Sequence, residues 1–135
     1  MRLRVLGLII SSWVAGCALP THDMADNRFA ELTPELVSEG LVGAWTGSNG
    51  PYLLTLRIGQ DGTGLFCSSW GERNTLGRIK FVQDRLYFQD GTKMRLSREG
   101  EGLVGNYDYL GANTVRFKMD SQLKEASPYC VDSLS

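Results

Sequence analysis

The sequence has little histidine, few cysteines and no long apolar stretch. A single histidine and three cysteines supply too few soft ligands for a conventional zinc centre. The apolar run over residues 5–15 is shorter than the roughly 20 residues that span a bilayer. The 14 basic residues do not exceed the 15 acidic ones, unlike in most nucleic-acid-binding domains. We therefore expect no metal, no cofactor and no nucleic-acid partner.

The N-terminus carries an export signal. Arg2 and Arg4 precede the apolar run, which is the order of charge and hydrophobicity in a signal peptide. The stretch Val14-Ala15-Gly16-Cys17 follows at once and resembles the lipobox of bacterial lipoproteins. The resemblance implies cleavage between Gly16 and Cys17, a diacylglyceryl thioether on Cys17 and an acyl group on its new amino terminus.

A lipidated Cys17 would be a stable membrane anchor, because two or more acyl chains hold a protein where one does not. Ala18 follows the cysteine, and the lack of an aspartate there implies the outer membrane, on its periplasmic face. The predicted mature chain has 12 basic and 15 acidic residues and a net charge near −3. Its first part, residues 17–32 with His22, is polar and aperiodic, which is typical of a flexible tether.

Residues 33–135 are predicted to form one small β-domain. Thr33-Pro34-Glu35 resembles a helix start, so a short N-terminal helix is expected over 34–39. From residue 41 onward apolar residues recur with period two, the pattern of strands. Turn residues separate about eight such runs: 42–47, 52–58, 63–69, 76–82, 85–89, 92–97, 103–109 and 114–119. This pattern predicts an all-β up-and-down antiparallel barrel or a strongly curved meander, with a β-sandwich as the alternative.

Two cysteines remain if Cys17 carries lipid. In an oxidising compartment Cys67 and Cys130 are expected to form a disulfide. The bond would close a loop of about 60 residues and contribute roughly 3–4 kcal/mol.

The first strand contains Gly43-Ala44-Trp45, which resembles the Gly-x-Trp signature of lipocalins. The resemblance implies that Trp45 closes one barrel end and that an arginine of the last strand, Arg116, packs over it; otherwise Trp45 is an ordinary core residue. A wider pattern consists of Leu41-x-Gly-x-Trp-x-Gly, Leu54-Thr55-Leu56 and Asp61-Gly62-Thr63-Gly64-x-x-Cys67. It resembles a group of small uncharacterised proteobacterial lipoproteins over residues 41–118. This resemblance implies a fold and a location in the cell envelope, but it implies no mechanism.

Residues that could carry chemistry are sparse. The acidic residues lie mostly in predicted turns, and no histidine accompanies the serines, so an enzyme is not expected. Trp70 and Tyr87 are candidate surface aromatics for contact with a partner. Tyr107 and Tyr109 share a strand face with Leu103 and are expected to be core residues. We expect non-enzymatic binding of a small apolar ligand or an envelope partner.

A protein-inhibitor lipoprotein is the alternative, since lipid-tethered inhibitors of C-type lysozyme are also small disulfide-bonded barrels. Residues 97–100 lack the Ser-Gly and Arg-Tyr pairs of the loop that those inhibitors insert.

Overall fold

Eight antiparallel strands form a closed barrel. A computed structural model of the chain describes residues 26–109 and 111–135; the predicted signal peptide, Gly16, Cys17 and His22 lie outside this range. Each strand pairs with the next in chain order, and β8 pairs with β1. The strands are β1 (Gly43–Asn49), β2 (Tyr52–Ile58), β3 (Thr63–Trp70), β4 (Arg73–Val82), β5 (Arg85–Phe88), β6 (Lys93–Glu99), β7 (Gly102–Tyr107) and β8 (Thr114–Met119). The predicted up-and-down barrel is confirmed, and the sandwich is wrong.

The period-two pattern places one side chain in two inside the barrel. In β2, Leu54, Leu56 and Ile58 are buried in the interior core, because successive side chains point to opposite faces of a strand. In β8, Val115 and Phe117 are buried in the same way, whereas Met119, at the end of the strand, is exposed. An eight-stranded barrel is just wide enough for such side chains to fill it.

Both copies of the tetrapeptide Gln-Asp-Gly-Thr form the same turn. The glycines, Gly62 and Gly91, have φ angles of 83° and 96°. The aspartate of each copy accepts a hydrogen bond at 2.9 Å from the backbone N–H of the threonine two residues later. An Asp-Gly pair in the sequence predicts a tight hairpin turn with positive φ at both residues. This prediction is wrong for the aspartates, because neither Asp61 nor Asp90 has a positive φ and each acts through its side chain instead.

The N-terminal segment packs along the outside of the barrel and is not the predicted helix. Residues 34–38 are extended, between short 3-10 helices at Phe29–Glu31 and Glu39–Leu41. The backbone N–H of Glu35 donates to the carbonyl of Phe81 at 2.8 Å, and that of Val37 to the carbonyl of Gln60 at 3.0 Å. These bonds to the barrel replace those of a helix.

A helix at the C-terminus covers part of the barrel wall. Helix α1 (Pro128–Leu134) begins after Ser127, whose hydroxyl accepts a hydrogen bond from the backbone N–H of Cys130 at 3.2 Å. Cys130 forms a disulfide with Cys67 on the outer face of β3, the pairing expected from the sequence. The bond and the buried Leu134 hold the helix on the wall, outside the interior core.

Candidate binding site at the barrel mouth

One end of the barrel is closed. The indole N–H of Trp45 donates to the carbonyl of Leu41 at 3.0 Å, so the tryptophan is fixed beneath the N-terminal segment. The cation above its ring is Arg98 of β6, whose guanidinium carbon lies 5.6 Å from the ring centre. Arg98 also donates to the carbonyl of Gly40 at 2.8 Å. These contacts seal the end at which the turns β2–β3, β4–β5 and β6–β7 lie.

The predicted role of Arg116 in this closure is wrong. Its neighbours Val115 and Phe117 point into the barrel, so the alternation of β8 sends Arg116 outward. There it forms an exposed ion pair with Glu99, with 2.6 Å between nitrogen and oxygen. Trp45 is fully buried, and the arginine that lies over its ring comes from β6.

The opposite end forms an open mouth with a pocket of about 210 Å³. The pocket is shallow because the interior below it is filled; at Gly105 a Cβ would collide with Met94 and Phe117. Its lining combines aromatic, aliphatic and small polar side chains. These residues are Asn49, Tyr52, Leu54, Phe66, Ser68, Phe88, Asp90, Thr92, Tyr107 and Tyr109.

Aromatic side chains form the rim and walls of the mouth. Tyr52 packs edge-on against Trp70 with 5.4 Å between ring centres. On the opposite side Tyr107 lies 5.4 Å from Tyr109 and 6.5 Å from Phe88. Trp70 is 47% exposed, Tyr109 49% and Tyr52 37%. The mouth therefore presents a broad aromatic surface around a small hollow.

Polar side chains line the pocket beside the apolar ones. The amide of Asn49 donates to the Tyr107 hydroxyl at 3.0 Å, which fixes that ring across the opening. Burial, with smaller contributions from Tyr109 and Asp90, raises the pKa of Tyr107 well above its usual range. The phenol therefore stays protonated at physiological pH, and the pocket wall there is neutral. Asp90 is the one charged residue among the described residues that line the pocket.

A family model described as "Bacterial lipocalin LPS transport optimiser YedD" matches residues 26–134. The chain belongs to the YedD family of bacterial lipocalins. This membership confirms the predicted lipocalin-like lipoprotein and fits non-enzymatic binding, which is general among such proteins.

Two solved structures share the fold of the chain. The lipoprotein YedD from Klebsiella pneumoniae is 17% identical with a TM-score of 0.57; the match covers 79% of this chain and 92% of that one. A lipocalin lipoprotein affecting virulence in Streptococcus pneumoniae is 15% identical with a TM-score of 0.52, over 63% of this chain and 98% of that one. A search of curated proteins finds no match.

The structure brings only one of the two predicted surface aromatics to the mouth of this YedD-family barrel. Trp70 lies on the rim, whereas Tyr87 is half-buried on the outer wall beside residues 26–29. Tyr52, Tyr107 and Tyr109 belong to the site as well. Tyr107 and Tyr109 share a strand face with Leu103 and are therefore expected in the core, but an inward position next to a turn lies on the rim when that end of the barrel is open.

Two larger hollows lie on the outer wall. One, of about 460 Å³, is a cleft between Phe29 and the residues of β3 and β4. The other, of about 470 Å³, lies over Ala44 and Leu65 near Ser121. The part of the chain that the structure describes contains no group of three or more His, Cys, Asp or Glu side chains arranged to hold a metal. Within the same part, no helix is long and apolar enough to cross a membrane.

Proposed function

We propose that this protein is an outer-membrane lipoprotein, anchored through Cys17, that supports lipopolysaccharide transport by holding a small apolar group in its barrel mouth. The observation that carries the proposal is a filled barrel with one aromatic pocket at its open end. The family description, which names lipopolysaccharide transport, supports the process. The resemblance of residues 14–17 to a lipobox supports the membrane anchor at Cys17.

The size of the pocket limits what it binds. At about 210 Å³ it is smaller than the roughly 300–1,000 Å³ of pockets for drug-sized ligands. It would therefore take one group, such as the end of an acyl chain or a single apolar side chain, and not a whole lipid. Leu54, Phe66 and Phe88 form the apolar part of its lining, and this part favours an apolar group.

An envelope protein is the second candidate occupant, and the exposed rim favours it. Trp70, Tyr52 and Tyr109 together present a large aromatic area, and such residues are common anchors at protein interfaces. In that case the pocket would accept a side chain of the partner. The lysozyme-inhibitor alternative gains no such support, because residues 97–100 belong to the tight β6–β7 hairpin at the closed end.

The pocket can be tested by filling it. Ser68 lines the mouth, so Ser68→Leu should occupy the hollow while the barrel stays folded. Ser48→Leu is the matched control, because Ser48 is exposed on the outer face of β1. Residues 26–135 include the complete barrel and its disulfide, so this domain can be titrated with 1-hexanol while backbone amide NMR shifts are recorded.

We expect saturable shifts around Ser68 and Thr92 in the native domain and in Ser48→Leu, and their loss in Ser68→Leu. Linear shifts spread over the whole surface would show that the mouth is not a binding pocket. In cells that lack the native protein, Ser48→Leu should restore the outer-membrane barrier and Ser68→Leu should not. If Ser68→Leu restored the outer-membrane barrier fully, lipopolysaccharide transport would not depend on the pocket.

A further inference from the structure

The N-terminal segment joins the barrel at its mouth. The Asn27 side-chain amide donates to the carbonyl of Gln89 at 2.9 Å, in the β5–β6 loop at the open end. From there the segment runs down the outer wall, where the Lys80 ammonium donates to the carbonyl of Phe29 at 2.8 Å. It reaches the closed end at Glu35, whose carboxylate accepts from the backbone N–H of Gln83 at 3.0 Å. The chain that precedes Asp26 therefore leaves the barrel beside the mouth.

The length of the tether keeps the mouth near the proposed anchor. Nine residue steps separate Cys17 from Asp26, and at 3.3–3.6 Å per residue they reach about 32 Å at most. The barrel is about 23 Å high along the seven residues of β2, which is less than this reach. The tether therefore fixes where the chain leaves the barrel, and the chemistry of the two barrel ends decides which end meets the membrane. The tether would become longer only if residues from Asp26 onward detached from the barrel. Phe29 opposes this detachment, because its side chain is buried and the Lys80 ammonium lies 4.6 Å from its ring centre.

The rim has the chemistry of a membrane–water interface. Tryptophan and tyrosine concentrate at the level of lipid headgroups because their rings are apolar and their tips are polar. Trp70, Tyr109 and Tyr52 are the exposed aromatics of the mouth, at positions on β2, β3 and the β7–β8 loop. At the closed end the large exposed apolar side chains are Leu36 and Met119, neither of which is aromatic.

The charges near the rim are of mixed sign. Arg73 lies over Trp70, with its guanidinium carbon 5.8 Å from the ring centre, and Arg85 pairs with Asp108 at 3.0 Å. Asp90 carries a negative charge at the pocket itself. The rim is thus no basic patch of the kind that adsorbs to anionic lipid, and its contact with a bilayer should depend on the aromatic rings.

We propose that the barrel mouth faces the membrane to which the protein is anchored, with Trp70, Tyr109 and Tyr52 in the headgroup layer. The inference rests on the proposed lipidation of Cys17 and is independent of whether the pocket binds a ligand. In this orientation the pocket opens onto the lipid surface, so an apolar group can pass from the bilayer into the mouth without crossing water.

Tryptophan fluorescence can test the orientation. Trp13 lies in the predicted signal peptide, so the mature chain contains Trp45 and Trp70. The purified lipoprotein is reconstituted in phosphatidylethanolamine–phosphatidylglycerol vesicles with or without lipids brominated near the headgroup, which quench nearby tryptophans. Trp70→Phe leaves the buried Trp45 as background. Adding Leu36→Trp to Trp70→Phe places a matched reporter at the closed end.

We expect bromolipid to quench the native protein but not Trp70→Phe, and to leave the Leu36→Trp reporter at its full emission. High salt should leave the quenching of Trp70 unchanged. Equal quenching of both reporters, or quenching of Leu36→Trp alone, in protein that floats with the vesicles would overturn the orientation. Protein that does not float with the vesicles would overturn the anchor itself, whatever the result of the hexanol titration.

Discussion

Replacement of Cys67 and Cys130 together by alanine tests how far the C-terminal helix is tied to the stability of the barrel. The disulfide joins residues 63 apart in sequence. The loop-closure relation gives about 4 kcal/mol for a loop of this length, because the bond removes that much conformational freedom from the unfolded chain. The bond links β3 to the end of the chain, so the loop spans β4 to β8 and the effect should fall on global unfolding.

The assay is urea unfolding of residues 26–135, followed by the fluorescence of Trp45 and Trp70. With a slope near 2 kcal/mol per molar urea, a loss of about 4 kcal/mol lowers the unfolding midpoint by about 2 M. Reduction of the native domain with dithiothreitol is the matched control. It should lower the midpoint by a similar amount and should leave the double alanine variant unchanged.

A different result would refute this reasoning. A midpoint shift well under 1 M, with the same slope, would mean that the unfolded chain gains little freedom when the bond is absent. Loss of the helical signal alone, with an unchanged tryptophan transition, would mean that α1 detaches as a separate unit. The buried Leu134 would then contribute little to barrel stability.

Three further changes test individual contacts by the free energy of unfolding or by titration. Arg98→Ala should cost about 1 kcal/mol because it removes the cover of the closed end, whereas Arg116→Ala, at an exposed ion pair, should cost under about 0.5 kcal/mol; equal costs would contradict this closure. Asp120→Ala should cost about 3 kcal/mol, since the buried carboxylate accepts hydrogen bonds from the Thr46 hydroxyl and two backbone N–H groups; a cost below about 1 kcal/mol would show that water replaces it. Because burial raises the folded-state pKa of Tyr107, its stabilising contribution is complete below the unfolded pKa near 10 and is lost as the pH rises further. Ultraviolet titration of the native domain should show one late-ionising tyrosine that is absent from Tyr107→Phe. Coincident ionisation of all tyrosines in the native domain would contradict a buried phenol.

The strand pattern was readable from the sequence because each strand has one buried face. In β2, Leu54, Leu56 and Ile58 alternate with other residues, and a shift of one position would expose all three. Helices were harder to predict. Thr33-Pro34 and Ser127-Pro128 carry the same start signal, yet only the second begins a helix. After Thr33-Pro34, the backbone N–H groups of Glu35 and Val37 donate to carbonyls of the barrel, and these bonds replace those that a helix would form.

The binding site was only partly predictable. The period of β5 predicts that Tyr87 faces outward, and the sequence offers Trp70 as a second surface aromatic. Which end of the barrel stays open depends on the N-terminal segment, whose path is set by distant contacts such as those of Val37 and Arg98. The sequence could not specify this path, so Tyr107 and Tyr109 looked like core residues and Arg116 looked like the cover of Trp45.

Intact mass spectrometry of the membrane-extracted protein tests the central claim most directly, since both proposals depend on a lipid at Cys17. The account predicts the mass of residues 17–135 plus one diacylglyceryl and one acyl group, with a gain of two hydrogens on reduction of the Cys67–Cys130 disulfide. An unlipidated mass that still includes residues 1–16 would contradict the anchor, and with it the position of the barrel mouth at the membrane.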